Sequence, residues 1–353
     1  MNHSDAYLEI DKQIKYALET GAQHLNLSSY EITELPESLG QLTHLTSLSI
    51  LNDSIRVFPS TIWQLKNLTK LDIKCRLLYG EVYDSLYKLD KLTHLNISRN
   101  DLKSLPESLG RLVNLTDLDI SYNQLVQLPE SLALLTNLKV LKVYSNRLQS
   151  LPKSFGKLVN LTTLDANYNQ LKSLPISFWQ LSNLENLDIS ANRFKALNKS
   201  LGQLKNLTSL EVSENQLSAL PESLVQLEKL TILSLSSNPL NNLPEELAQL
   251  INLTHLEVSD NQLIHLPKSL GKLVNLMSLR ASGNQLTNLP DSLKQLANLT
   301  FLDVSYNKLK ILPNELRSLL LGLNRFSFYI SGNKFDKESK LLLEELRKNN
   351  ICE

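Results

Sequence analysis

A segment of about 23 residues recurs from Leu25 almost to the end of this chain, and it follows the pattern LxxLxLxxNxLxxLPxxLxxLxN, seen clearly in residues 115–138. Fixed self-similarity at this period predicts a solenoid, in which each repeat buries its apolar face only against its neighbours. The repeat overrides the two domains that 353 residues would otherwise suggest. A solenoid works through a long repeated surface, so the sequence predicts a binding protein. Fourteen residues open the L-x-L cores: Leu25, Leu48, Leu71, Leu95, Leu118, Leu141, Leu164, Leu187, Leu210, Leu233, Leu256, Leu279, Leu302 and Phe328.

Each repeat has a predictable local structure. The L-x-L core predicts a short strand with its leucines inward and the intervening residue outward, stacked in parallel about 4.8 Å from the next strand. The Leu-Pro pair that follows predicts a turn into a short helix, with proline in the first helical turn. A buried amide five residues after the opener would bond the backbone of the turn, so we predict a structural role for these asparagines. They are Asn100, Asn123, Asn146, Asn169, Asn192, Asn215, Asn238, Asn261, Asn284, Asn307 and Asn333.

Two helical segments flank the repeats. Residues 5–20 have helical periodicity, with Ser4 as N-cap and Gly21 as the stop. The apolar face of this helix is predicted from Tyr7, Ile10, Ile14, Ala17 and Leu18. Residues 336–348 predict a second helix that covers the last repeat with Leu341, Leu342 and Leu346. We therefore expect one solenoid domain over 1–353, with an N-terminal cap at 1–21, about 14 repeats at 22–335 and a C-terminal cap at 336–353.

The chain resembles leucine-rich repeat proteins over nearly its whole length. Its LPxxLxxLxxL type, with a 23-residue period, is similar to bacterial and Ras-group intracellular leucine-rich repeat proteins and to the repeat portion of Roco-type proteins. The resemblance implies an α/β solenoid curved into a horseshoe. It also implies a parallel β-sheet on the concave face, short helices on the convex face and partners held on the concave face.

Three units depart from the pattern. The third has Arg76 in place of the asparagine and Tyr83 in place of the proline, the eighth has Asn198 in place of the proline, and the last is lengthened to 26 residues. Such units can mark interaction sites, but drift of the repeat is the favoured interpretation.

Composition excludes several classes of function. Lys+Arg and Asp+Glu both number 36, so the basic excess of a nucleic-acid-binding protein is missing. Two cysteines, Cys75 and Cys352, are too few for a disulfide framework and favour a reducing compartment. With no signal-peptide pattern at the start and no long apolar run, we expect a cytoplasmic protein, with non-classical export as the alternative. No cofactor or metal motif is present, so neither is expected.

The outward residues of the L-x-L cores predict a negative surface. Seven of the fourteen are acidic and only Lys142 and Arg280 are basic, which favours a protein partner with a basic surface. The alternative is that aspartate simply belongs to the repeat pattern. The acidic residues closest to the middle of the chain are Asp119, Asp165, Asp188 and Glu211.

Tyrosines give a second indication of a binding site. Tyr122, Tyr144 and Tyr168 occupy outward positions just past the strand in three consecutive units. Tyrosine is a favoured hot spot because it buries a large area and keeps a polar tip. We predict that these three residues bind the partner together with Asp119, Lys142, Asp165, Asp188 and Glu211. The alternative is a mutually stacked surface trio without a partner.

The predicted function is therefore non-enzymatic: a protein-interaction scaffold or regulator, with no catalytic residues. One alternative is a secreted or surface bacterial effector or adhesin that binds a host protein or glycan. Another is a carbohydrate-processing enzyme that uses Asp165, Asp188 and Glu211, predicted to stack at about 5 Å intervals. The enzyme is disfavoured because an open strand surface offers no water-excluding cleft.

Overall fold

The structure, a computed structural model, describes residues 3–27, 32–55, 57–75, 85–323 and 327–352. The predicted irregularity at Arg76 and Tyr83 lies outside these residues. The chain divides into two compact units, Met1–Leu184 and Glu185–Glu353, called here the first and second units. Within the described ranges, no helix combines the length and apolar character that crossing a membrane requires.

Each predicted L-x-L core forms a parallel strand. The strands of the first unit are β1 His24–Asn26, β2 Ser47–Leu51, β3 Lys70–Lys74, β4 His94–Asn96, β5 Asp117–Asp119, β6 Val140–Lys142 and β7 Thr163–Asp165. Those of the second unit are β8 Asn186–Asp188, β9 Ser209–Glu211, β10 Ile232–Ser234, β11 His255–Glu257, β12 Ser278–Arg280, β13 Phe301–Asp303 and β14 Phe328–Tyr329. Within each unit a strand pairs with the next one along the chain, and opening leucines face each other, as Leu118 and Leu141 do. The leucine-rich repeat solenoid expected from the sequence is therefore confirmed.

The return segments are 3-10 helices. They run over Glu37–Gln41, Ser60–Gln64, Leu86–Lys88, Glu107–Arg111, Glu130–Leu134, Phe155–Lys157, Ile176–Gln180, Lys199–Gln203, Glu222–Gln226, Glu245–Gln249, Leu270–Lys272, Asp291–Gln295 and Asn314–Leu316. The predicted place of proline was wrong by one residue, because Pro129 precedes the helix with extended backbone (φ −66°, ψ 146°). Asn198 takes that place in the eighth unit, and its side chain accepts a hydrogen bond from Ser200 N, as an N-cap does.

The asparagines of the pattern hold the turns, as predicted. In the second unit, Asn238 Nδ2 donates to the carbonyls of Val212 at 3.1 Å and Leu235 at 3.0 Å, and its Oδ1 accepts from Leu217 N at 3.0 Å. Ten of the eleven asparagines are buried, and Asn333 is half-buried. Each amide thus satisfies backbone groups that no strand or helix partner reaches.

Helix α1 His3–Thr20 precedes the first strand and α3 Lys337–Lys348 follows the last strand, whereas α2 Arg317–Leu321 lies between β13 and β14. Helix α1 ends at Gly21, whose φ of +65° suits glycine. The predicted apolar faces each contained one error: Leu18 is 42% exposed and Leu341 61% exposed. Leu343 is buried in α3 instead.

Candidate functional site

The predicted site residues of the first unit lie on one surface. We call the outward residues of the strands, together with the positions three and four residues after each strand opener, the strand face. Asp119, Lys142 and Asp165 end strands β5, β6 and β7 and are direct register partners. They therefore form one row across three adjacent repeats, with a spacing of about 4.8 Å.

The tyrosines are not equivalent in position. Tyr144 lies three residues after its strand opener, whereas Tyr122 and Tyr168 lie four residues after theirs. The rings of Tyr122 and Tyr144 meet edge-on, with centroids 5.0 Å apart and planes at 76°. Among the described residues, no ring contact joins Tyr168 to either of them. The predicted trio is thus a contacting pair with a separate third tyrosine.

Arg99 extends the tyrosine pair. Its guanidinium carbon lies 4.3 Å from the centroid of the Tyr122 ring. This cation–π contact holds the guanidinium flat while its N–H groups remain available to a partner. Arg99 was not predicted from the sequence, although it lies one repeat before Tyr122 at the same repeat position. We call Arg99, Tyr122 and Tyr144 the arginine–tyrosine cluster.

Tyr122 and Tyr168 occupy a strained backbone position. Their φ angles are +51° and +50°, in the left-handed region that costs non-glycine residues about 1–2 kcal/mol. The same position is left-handed in other repeats, where it holds small residues such as Ser145 (φ +52°) or Gly283 (φ +63°). The fold therefore requires the conformation there but not a tyrosine.

The aspartates that end the strands have local partners. Asp119 Oδ1 accepts from Ser121 N at 3.0 Å and from Ser121 Oγ at 2.5 Å. In the second unit, Asp188 Oδ1 accepts from Ser190 N at 2.9 Å. The D-x-S spacing thus holds the turn after the strand, as in an Asx turn. This gives aspartate a structural role in the repeat, in addition to its charge.

A shallow depression of about 230 Å³ opens on the strand face of the first unit, over β3 to β6. His94 Nε2 lies 3.3 Å from Asp117 Oδ2 at this depression. Asp72 also lines it, and burial raises the pKa of Asp72, while Lys74, whose Nζ lies 3.7 Å from its Oδ2, opposes that shift. The depression adds carboxylates to a surface that already carries Asp119.

The remaining predicted residues, Asp188 and Glu211, belong to the second unit. They are register partners at the ends of β8 and β9. Burial raises the pKa of Glu211, and the neighbouring charges of Asp188 and Glu257 raise it further. Among the described residues, no group of three or more His, Cys, Asp or Glu side chains is arranged to hold a metal ion.

A substitution at Glu211 tests this electrostatic description. Because its pKa is raised in the folded state, the folded protein holds a proton more tightly than the unfolded chain, and stability falls as pH rises from the ordinary glutamate pKa through the raised one. We expect Glu211→Gln to remove this loss and to increase the free energy of unfolding at pH 7. Urea denaturation across pH 4 to 8 measures the free energy of unfolding of wild type and variant. An unchanged pH dependence would contradict the assignment, and Glu222→Gln, on an exposed 3-10 helix, is the control.

The sequence of this chain matches the model of a known protein family. The model described as "Leucine rich repeat" matches residues 82–125, 136–194, 182–240, 228–286 and 251–309. No curated protein matches the sequence of this chain.

Solved structures share the fold. A Leptospira interrogans leucine-rich repeat protein is 31% identical, with 96% of this chain and 97% of that chain covered and a TM-score of 0.67. A leucine-rich effector protein from Yersinia pestis, YopM, is 28% identical over 92% of this chain and 82% of that chain, with a TM-score of 0.69. The ectodomain of a plant membrane receptor kinase from Arabidopsis thaliana, in complex with Casparian strip integrity factor 2, is 28% identical over 89% of this chain and 41% of that chain, with a TM-score of 0.70.

Proposed function

The chain belongs to the leucine-rich repeat family, and on that premise we propose that it binds a protein partner on the strand face of its first unit without catalysing a reaction. The observation that carries the proposal is the arginine–tyrosine cluster. It combines Tyr122, 43% exposed, with a stacked guanidinium and a second tyrosine, the residue types that dominate binding hot spots. Ring contacts fix these side chains before binding, so docking costs little side-chain entropy.

The partner is proposed to carry basic groups beside an apolar or aromatic anchor. Asp72, Asp117 and Asp119 line the depression next to the cluster together with Lys70 and Lys142, so its carboxylates outnumber its lysines by one and favour a cation there. Lys142 and Arg99 interrupt the acidic surface, so the partner also presents an acceptor opposite them. We propose that Asp165 and Tyr168 extend this surface, and that Asp188 and Glu211 offer a further acidic contact in the second unit.

Two cellular settings are consistent with this proposal. The first is a cytoplasmic scaffold or regulator, supported by the buried thiols of Cys75 and Cys352. The second is a bacterial effector, supported by similarity to the leucine-rich effector protein from Yersinia pestis. Recovery of the protein from culture medium without lysis would favour the second setting.

A comparative pull-down tests the proposal. Wild type and Tyr122→Ser/Tyr144→Ser/Tyr168→Ser are used as baits in a lysate, and bound proteins are quantified by mass spectrometry. Serine is chosen because Ser145 already holds the left-handed position and Ser121 the position of Tyr144, so the fold tolerates both changes. We expect a partner that wild type retains and the triple variant loses.

Tyr306→Ser is the matched control, since Tyr306 occupies the same left-handed position in the second unit and is 69% exposed. This variant is expected to recover the partner as wild type does. Equal recovery by the triple variant, shown to be folded by circular dichroism, would contradict a site on the strand face of the first unit.

A further inference from the structure

A group of cations lies on the helical side of the first unit, away from the strand face. Lys66, Lys88 and Arg111 line an open depression of about 450 Å³, and Lys91 lies beside it. Asp90 is the one carboxylate among the described residues that line it. None of the four cations makes an ion pair with a described residue. We call these four cations, together with Tyr87, the basic patch.

Arg111 and Tyr87 form the centre of the basic patch. The guanidinium carbon of Arg111 lies 3.8 Å from the centroid of the Tyr87 ring. Stacking on the ring fixes the plane of the guanidinium and leaves its fork of N–H donors at the edge, where it suits a carboxylate. Val113, 48% exposed, adds an apolar surface beside it.

The second unit contains the same arrangement without these features. Counted back from the next strand opener, Lys205, Glu228 and Lys229 take the positions of Lys66, Asp90 and Lys91. At the remaining positions, Val225, Gln226 and Gln249 replace Tyr87, Lys88 and Arg111. The basic patch has four cations and one carboxylate, whereas the equivalent positions of the second unit have two cations and one carboxylate.

Hydrogen bonds that support the fold are the same in both places. Lys66 Nζ donates to the Lys88 carbonyl at 2.5 Å, as Lys205 Nζ does to the Gln226 carbonyl at 3.2 Å. The Lys91 Nζ donates to Asn67 Oδ1 at 2.8 Å. Its counterpart, Lys229 Nζ, donates to the equivalent asparagine at 2.7 Å.

These shared bonds assign Lys66 and Lys91 to the scaffold. The side chains of Lys88 and Arg111 make no hydrogen bond with a described residue, and the second unit folds in the same way with glutamines in their places. The fold therefore does not require either cation.

We propose that the basic patch docks an acidic segment of a partner protein, with Arg111 and Lys88 holding carboxylates and Tyr87 with Val113 packing against an apolar side chain between them. The single carboxylate of Asp90 and the apolar surface disfavour a continuous polyanion, because a polypeptide can place its charges apart whereas a nucleic acid cannot. This site is separate from the proposed strand-face site and holds a partner of opposite charge.

Fluorescence anisotropy with a labelled peptide of Glu-Glu-Leu repeats tests the proposal. We expect wild type to bind and the affinity to fall as salt rises. Lys88→Gln/Arg111→Gln places at these two positions the glutamines with which the second unit already folds, so the fold is expected to be preserved. Binding is expected to weaken about tenfold or more. The control Lys157→Gln, at the same repeat position as Arg111, is expected to bind as wild type does.

A converse variant tests gain of binding. Val225→Tyr/Gln226→Lys/Gln249→Arg builds the patch in the second unit, and we expect it to add a second equivalent site for the peptide. Unchanged affinity in Lys88→Gln/Arg111→Gln would overturn the proposal. Tighter binding of a single-stranded DNA of equal charge, lost in that variant, would replace it with a general polyanion site. Neither result bears on the strand-face site, which is tested with Tyr122, Tyr144 and Tyr168.

Discussion

Replacing Asn238 by alanine is expected to destabilise the second unit by about 2–4 kcal/mol, a large effect for a single substitution. The side chain is 4% exposed and bonds backbone groups in two consecutive repeats. Alanine leaves the N–H of Leu217 buried without a partner, which costs about 1–3 kcal/mol. The carbonyls of Val212 and Leu235 each lose one bond, worth about 0.5–1.5 kcal/mol, but keep the bonds from Asn215 Nδ2 and Asn261 Nδ2. Chemical denaturation followed by circular dichroism measures the loss.

Asn252→Ala provides the matched control. Asn252 lies on the exposed helical side, where its Nδ2 donates to the Glu228 carbonyl at 2.8 Å. Water can replace that single bond, so we expect a loss of about 1 kcal/mol or less. If both substitutions destabilised the protein equally, the structural role assigned to the buried asparagines would be wrong.

Removing Tyr122 and Tyr144 together is expected to weaken partner binding by about a hundredfold or more. Each tyrosine is a hot-spot type, and a loss of about 2 kcal/mol at one of them corresponds to roughly thirtyfold in affinity. The ring centroids lie 5.0 Å apart, so the two losses are expected not to be additive.

A double-mutant cycle on the captured partner measures that coupling. We expect a coupling energy of about 0.5 kcal/mol or more between Tyr122→Ser and Tyr144→Ser, and additive effects for Tyr144→Ser with Tyr168→Ser. Additive losses in the first pair would show that the cluster does not act as a unit. Calorimetric titration at constant salt gives all of the required affinities.

The repeat period made the fold predictable. The spacing of leucines fixes which residues face inward, and all fourteen strand openers lie in strands where the pattern predicts them. The structural role of the asparagines was equally predictable, because a buried amide five residues after each strand opener can bond the backbone groups of the turn. Periodicity alone does not say how far a terminal helix is covered, which is why Leu18 and Leu341 were assigned wrongly to buried faces.

The candidate site was only partly predictable. The left-handed position of Tyr122 and Tyr168 holds arginine, serine, alanine or glutamate in other repeats. The residue type at this position therefore does not reveal its left-handed backbone. Arg99 was missed because its contact with Tyr122 crosses from one repeat to the next. The structure shows this contact. The difference between Arg111 and Gln249 is found only when residues at equivalent positions of the repeats are compared. The bond between aspartate and serine, in contrast, lies within one repeat and follows from the D-x-S spacing itself.

Footprinting of the complex tests whether the partner covers the strand face of the first unit. Hydroxyl radicals would modify the free protein and its complex with the captured partner, and the oxidation rate of each tyrosine would be read by mass spectrometry. We expect Tyr122, Tyr144 and Tyr168 to become protected, while Tyr306, exposed at the repeat position of Tyr122 and Tyr168 but in the second unit, stays unprotected. Equal oxidation of Tyr122 and Tyr168 in the free and bound states would contradict partner binding on the strand face of the first unit.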